Sequence, residues 1–182
     1  MENALATIES ISVARGYQIV DTMLKSAPVS LYYASATCPG KFLVIVGGQV
    51  SAVKTAVENG LEAGKEMVVD YMLLPNVHPQ VLSAVACSTE VKGIKDLGIV
   101  ESMSAPSVLE GADVAVKVAR VDLTEIRIGR GMGAKSFFVV TGEISDVKNA
   151  VAVSKEVVSK RGLLIEAVVI SKPHKDMMEV II

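Results

Sequence analysis

Tryptophan is absent from this chain, and aromatic residues make up only 4% of its 182 positions. With few flat side chains to stack on bases, and a formal net charge of −2 that supplies no basic field, nucleic-acid binding is not expected. Cysteine is scarce as well. Cys38 and Cys87 are too few for a disulfide framework, so each is expected to remain a thiol unless a metal takes it. Residues 1–14 carry Glu2 and Glu9 and lack the basic start and unbroken apolar core of a signal peptide, so the chain is expected to stay in the cytosol. Tyr71–Thr89 has no Asp, Glu, Lys or Arg, but Pro75, Asn76, His78 and Pro79 interrupt it. A buried strand, a turn and a short helix fit that run better than a membrane span. No Ser/His/Asp set, H-x-x-x-H motif or convergent carboxylate pair stands out, so no catalytic residue is assigned and the chain is not read as an enzyme.

What the chain does have is a repeat. Ile8–Leu31 recurs as Val100–Leu123, aligning Glu9, Asp21, Lys25, Ala27 and Val29 with Glu101, Asp113, Lys117, Ala119 and Val121. The register resumes at Lys41–Val57 against Lys135–Val151, and again at His78 against His174. Two duplicated domains are therefore expected, residues 1–92 and 93–182, with Glu90–Asp96 as a short linker between halves expected to pack together. Between the aligned blocks the copies part. Thr37-Cys38-Pro39-Gly40 in the first becomes Gly129-Arg130-Gly131-Met132-Gly133-Ala134 in the second, two residues longer and without cysteine. A scaffold kept in duplicate with one divergent loop points to that loop as the functional place. Hydrophobic residues form 51% of the chain, mostly aliphatic, which is more than two domains of about ninety residues can bury, so association into an oligomer is expected.

Periodicity within one copy reads as strand Leu5–Ser12, helix Val13–Ser26, strands Val29–Ala36 and Lys41–Val46, a helix capped by Ser51 and stopped by Gly64, and strand Met67–Leu74. The second copy reads as Leu97–Met103, Pro106–Ala119, Val121–Gly129, Lys135–Thr141, Ser145–Ser159 and Leu163–Ile170. Short helices are expected to trail each copy at Val81–Ala86 and Lys175–Val180. The order βαββαβ predicts the split βαβ arrangement of ferredoxin-like folds: an α+β class, an antiparallel sheet with helices on one face.

Glu-Ser early in the first strand, D-x-x-x-K-x-A-x-V closing the first helix and a glycine-flanked hairpin, all in duplicate, resemble the tandem-domain shell proteins of bacterial microcompartments. The likeness covers essentially the whole chain. Thr37-Cys38-Pro39-Gly40-Lys41-Phe42-Leu43 looks like the pore loop of the T-type shell proteins of propanediol-utilisation compartments, and Asn76-Val77-His78-Pro79 and Gly162-Leu163-Leu164 extend the match. The resemblance implies two BMC domains, a pseudo-hexameric homotrimer tiled with neighbouring shell proteins, and a place in the microcompartment shell of the bacterial cytoplasm. It further implies one 4Fe-4S cluster per trimer, held by Cys38 of each chain on the three-fold axis, and an electron donor or encapsulated redox enzyme as partner. Three thiolates on such an axis suffice for three irons of a cubane, leaving the fourth to a non-protein ligand. Thr37, Cys38, Pro39, Gly40, Arg130, Gly131 and Met132 would line the pore, and Lys25 and Lys117 the tile edge.

Alternatives stand beside each assignment. Lys25 and Lys117 also suit solvated helix ends, where cations favour the dipole. The glycines of Gly129–Gly133 precede a strand, not a helix, so they read as a mobile hairpin and not a phosphate loop. Cys87 reads as packing, and His78 and His174 as structural or subunit-contact residues. A tile with a metabolite pore and no cluster, or a soluble enzyme or sensor on a ferredoxin-like scaffold, are the competing functions.

Overall fold

The computed structural model describes residues 4–89, 93–129 and 131–177. Ser12 and Ser104 each turn a strand into a helix: their hydroxyls accept the backbone N–H of Arg15 and Ser107, both at 3.2 Å, satisfying donors the helix leaves open. The first repeat runs β1 (Ala4–Ser10), α1 (Val13–Ser26), β2 (Ser30–Thr37), β3 (Lys41–Gly48), α2 (Val50–Gly64) and β4 (Val68–Leu74), followed by α3 (Pro79–Val85). The second runs β5 (Asp96–Ser102), α4 (Ala105–Val118), β6 (Val121–Ile128), β7 (Ser136–Gly142), α5 (Ile144–Lys160) and β8 (Leu164–Ile170). Both sheets are antiparallel, ordered β2-β3-β1-β4 and β6-β7-β5-β8, as the βαββαβ reading expects. The registers are equivalent: Ile8 pairs Val44 as Val100 pairs Phe138.

Alternation along β1 and β3 puts Ala6, Ile8, Phe42, Val44 and Val46 on the face that receives Ile19 and Met23 of α1 and Val53, Ala56 and Val57 of α2. Each large side chain buried there stabilises the unit by about 1.5–3 kcal/mol. In the second sheet Val100, Phe138 and Val140 are likewise buried, as are Leu109 and Ala112 of α4 and Val147 and Val151 of α5.

Two compact units emerge. One comprises Met1–Val77 with Gly129–Ala134, the other His78–Ile128 with Lys135–Ile182. The segment trailing the first repeat thus belongs to the second unit, and the divergent loop of the second repeat belongs to the first.

Equivalent positions are not equivalently buried. Tyr17 on α1 is 67% exposed while its counterpart Leu109 on α4 is fully buried, and Leu31 is 45% exposed where Leu123 is 2%. On the outer sheet faces the imbalance reverses. Thr7, Leu43 and Met72 are buried, whereas their counterparts Ile99, Phe137 and Val168 line an open groove with Glu101 and Glu166.

Three readings of the sequence need correction. α2 starts at Val50, not after a Ser51 cap: Val53 donates its N–H to the Gln49 carbonyl at 2.9 Å, placing Ser51 inside the first turn. Cys87 is exposed rather than packed, because it ends α3 in the left-handed region (φ 52°), a common way for a helix to stop. The second trailing helix is a 3-10 turn at Lys175–Met177 among the described residues; the rest of the expected element, Met178–Val180, lies outside them. Glu90, Val91 and Lys92 of the linker also lie outside.

Candidate functional site at the divergent hairpin

β2 and β3 are joined by a tight turn at Cys38-Pro39-Gly40, closed by the Gly40 N–H donating to the Thr37 carbonyl at 2.9 Å. Gly40 sits at φ +107°, a conformation that glycine adopts at little cost and other residues rarely reach. Pro39 and Gly40 are exposed, Cys38 is half-buried and Thr37 is buried. Among the described residues the Thr37 hydroxyl oxygen has no hydrogen-bond partner.

The same unit brings the loop 129–134 against this turn. Cys38 donates its backbone N–H to the Gly129 carbonyl at 2.8 Å, and Gly131 directs its N–H at the Cys38 Sγ from 3.3 Å. Gly129, Gly131, Gly133 and Ala134 all have positive φ, a run that the glycines make affordable and that presents backbone, not side chain, to the sulfur. Of the expected pore residues, Cys38 thus meets Gly131, while Thr37 lies beside Gly129 and Pro39 and Gly40 complete the turn; Met132 is half-buried in the same loop as Gly131, and Arg130 lies outside the described residues. The Gly129 carbonyl and Gly131 amide as partners of Cys38 escaped the sequence reading.

An ion pair sits at the base of each hairpin. Lys41 Nζ lies 3.1 Å from Glu9 Oε2, and Lys135 Nζ lies 2.8 Å from Glu101 Oε1. Burial pushes the Glu9 carboxyl above its ordinary range, with Lys41 pulling the other way.

His78 and His174 do not converge on a metal. Each ring accepts a backbone N–H two residues on, from Gln80 at 3.3 Å and Asp176 at 3.4 Å, so both serve as caps. Among the described residues no three His, Cys, Asp or Glu side chains of one chain gather. A metal held at Cys38 would find no such set of three ligands among the described residues of one chain. The residues fit such a group: a half-buried thiol at a loop tip, a glycine backbone able to approach closely, and an amide aimed at the sulfur, complementary to the negative charge that thiolate ligands and sulfides carry.

Lys25 and Lys117 close equivalent helices, each paired with the Asp four residues earlier. Lys25 Nζ is 2.7 Å from Asp21 with both groups largely exposed, whereas Asp113 beside Lys117 is buried. Among the described residues no helix is long and apolar enough to cross a membrane.

The chain matches the family model described as the BMC domain twice, over residues 4–77 and 96–173. It is 41% identical to the bacterial microcompartment shell protein PduT of Citrobacter freundii over 97% of this chain and 96% of that one. The shell protein EutM of Escherichia coli is 32% identical over 46% of this chain and 84% of its own length, as a one-domain relative would be. The crystal structure of a microcompartment protein from Desulfitobacterium hafniense superposes with a TM-score of 0.91 at 42% identity, covering 98% of this chain and 99% of the other. With both repeats matched and the likeness running nearly end to end, the chain belongs to the BMC-domain family and is a tandem-domain shell protein of a bacterial microcompartment, a compartment of the bacterial cytoplasm.

Proposed function

We propose that three copies of this chain form a pseudo-hexameric tile, and that Cys38 from each copy holds one 4Fe-4S cluster on the three-fold axis through which electrons cross the shell. The observation that carries the redox half is the Gly131 N–H aimed at Cys38 Sγ, at the one loop where the duplicated scaffold diverges. When bound, the group supplies one-electron chemistry in a wall otherwise closed to metabolites. Cys38 supplies the protein ligand, Gly131 orients toward its sulfur, and the tight Thr37–Gly40 turn leaves no bulky side chain between neighbouring loops. An electron donor on one side and an encapsulated redox enzyme on the other are the partners this role needs.

The ring is supported by the unequal burial of the repeats. α1 and the outer face of the second sheet are open, and they are different surfaces, so association runs head to tail and closes when six domains, two per chain, complete a cycle. Lys25 and Lys117 at the helix ends would then recur around the rim. The exposed pair of Lys25 with Asp21 stabilises a helix by only about 0.3–0.5 kcal/mol, too little to account for that lysine, which favours an edge role.

Anaerobic reconstitution with iron and sulfide tests the reading. The native chain is expected to turn brown and to develop charge-transfer absorption that bleaches on reduction, and Cys38→Ser to stay colourless as an intact trimer. A native trimer that stays colourless would leave a plain pore-bearing tile.

A further inference from the structure

Duplication gives each exposed side chain its own control, because the counterpart in the other repeat shows whether that position is covered. Along α1, Val13, Tyr17, Val20 and Leu24 recur at i, i+4, i+7 and i+11 and form one apolar ridge. Tyr17 and Leu24 are exposed and the two valines half-buried, whereas their counterparts Ala105, Leu109, Ala112 and Val116 on α4 are all buried. One chain thus covers this ridge in one repeat and leaves it open in the other.

Tyr17 is the side chain on that ridge best held for binding. Its ring rests tilted against Phe42 with centroids 4.9 Å apart, Phe42 is fully buried, and Gly16 makes room for it. Even so, Tyr17 is 67% exposed. A large aromatic braced by a buried ring has little freedom to lose on association, which is the property of an interface anchor.

The groove on the outer face of the second sheet has the matching chemistry. Ile99, Phe137 and Val168 give it apolar walls, and Glu101 and Glu166, paired across β5 and β8, add two carboxylates. Lys135 takes Glu101 at 2.8 Å, while Glu166 is exposed. Further along this face the chain's own Met177 packs on Leu97 and Val139, so the opening is confined. It measures about 230 Å³, below the roughly 300–1,000 Å³ of small-molecule sites, and suits one inserted side chain better than a free ligand. The counterparts Thr7, Glu9, Leu43 and Met72 in the first repeat are all buried. Ridge and groove stand open in the same chain, so neither covers the other there and the occupant comes from another copy. The groove asks for an apolar body with a hydrogen-bond donor at its tip, and Tyr17 alone on the ridge carries one.

We propose that Tyr17 of one copy enters this groove on a second copy, its ring against Phe137 between Ile99 and Val168 and its hydroxyl donating to the Glu166 carboxylate. The anchor rests on the ring reading above and gives that ring a specific fastening, repeated once per chain.

Dilution of the full chain, followed by light scattering, tests it. Tyr17→Ala is expected to raise the concentration at which the trimer falls apart by at least about thirtyfold, with circular dichroism unchanged. Tyr17→Phe keeps the ring and loses the donor. It is expected to weaken the native trimer more than it weakens a Glu166→Gln trimer, because the two groups share one contact. With p-benzoyl-phenylalanine in place of Tyr17, irradiation is expected to give dimer and trimer bands on a denaturing gel, the linked peptide coming from residues 96–102, 136–142 or 164–170. Equal effects of Tyr17→Phe in the two backgrounds overturn the contact with Glu166. A trimer as tight in Tyr17→Ala as in the native chain, or cross-links that map elsewhere, overturns the anchor and leaves the ring standing. An unmodified chain that is already monomeric overturns both.

Discussion

Glu9 couples the base of the first hairpin to pH. Burial raises its pKa above the ordinary 4.5 more than Lys41 lowers it, so the folded chain holds that proton more tightly than the unfolded chain. The contribution of Glu9 is then fully present below the ordinary value and is lost as pH rises through the raised one. Glu9→Gln removes the titration. The melting-temperature difference, native minus variant, is expected to grow in favour of the native chain as pH falls from neutrality toward 4.5. A difference independent of pH would contradict the shift. At this scale Cys38 was legible because duplication supplied its own control: a thiol and a tight turn stand where the other copy has neither. Gly131 was not legible as its partner, since a backbone N–H reaching a sulfur 93 positions away leaves no mark on side-chain pattern. Cys87 misled because an apolar run in sequence says nothing of the left-handed residue that ends its helix. Cys87→Ser is accordingly expected to leave iron content unchanged on elemental analysis.

Helices and strands were readable because periods of 3.6 and 2 survive in both copies, and the boundaries slipped where a backbone carbonyl, as at Gln49, started a helix without a side-chain cap. The packing of α1 was less readable. Gly16 lies against the ring of Phe42, where an added Cβ would fall 2.3 Å from Cγ. Gly16→Ala gains about 1 kcal/mol of helix propensity but incurs an overpacking cost of about 1–3 kcal/mol against a fully buried ring. A lower urea midpoint with an unchanged slope is expected, and a raised midpoint would show that Phe42 yields freely. The two helix ends carry a separate prediction. Lys25→Glu with Lys117→Glu is expected to leave the trimer intact by size-exclusion while abolishing the extended sheets seen by electron microscopy. Persisting sheets would place the edge elsewhere.

For the whole molecule, the duplicated unit and the surplus of aliphatic residues pointed to association, but which faces associate was invisible in the sequence. The exposed positions Tyr17 and Leu31 align with residues of similar apolar character, Leu109 and Leu123, and only folding separates the open from the filled. The same holds for α3, which follows the first repeat in sequence yet belongs to the second unit. In the proposed ring the two unlike open surfaces meet head to tail without a two-fold axis, and light scattering is expected to give three chains and not two. The central claim is that one cysteine per chain is tripled by symmetry into a single cluster site. Counting iron and acid-labile sulfide against a light-scattering mass, on the same anaerobically reconstituted sample, tests it most directly. The account predicts about four of each per trimer for one cubane and none in Cys38→Ser; a full cluster per chain, or iron retained without Cys38, would contradict it.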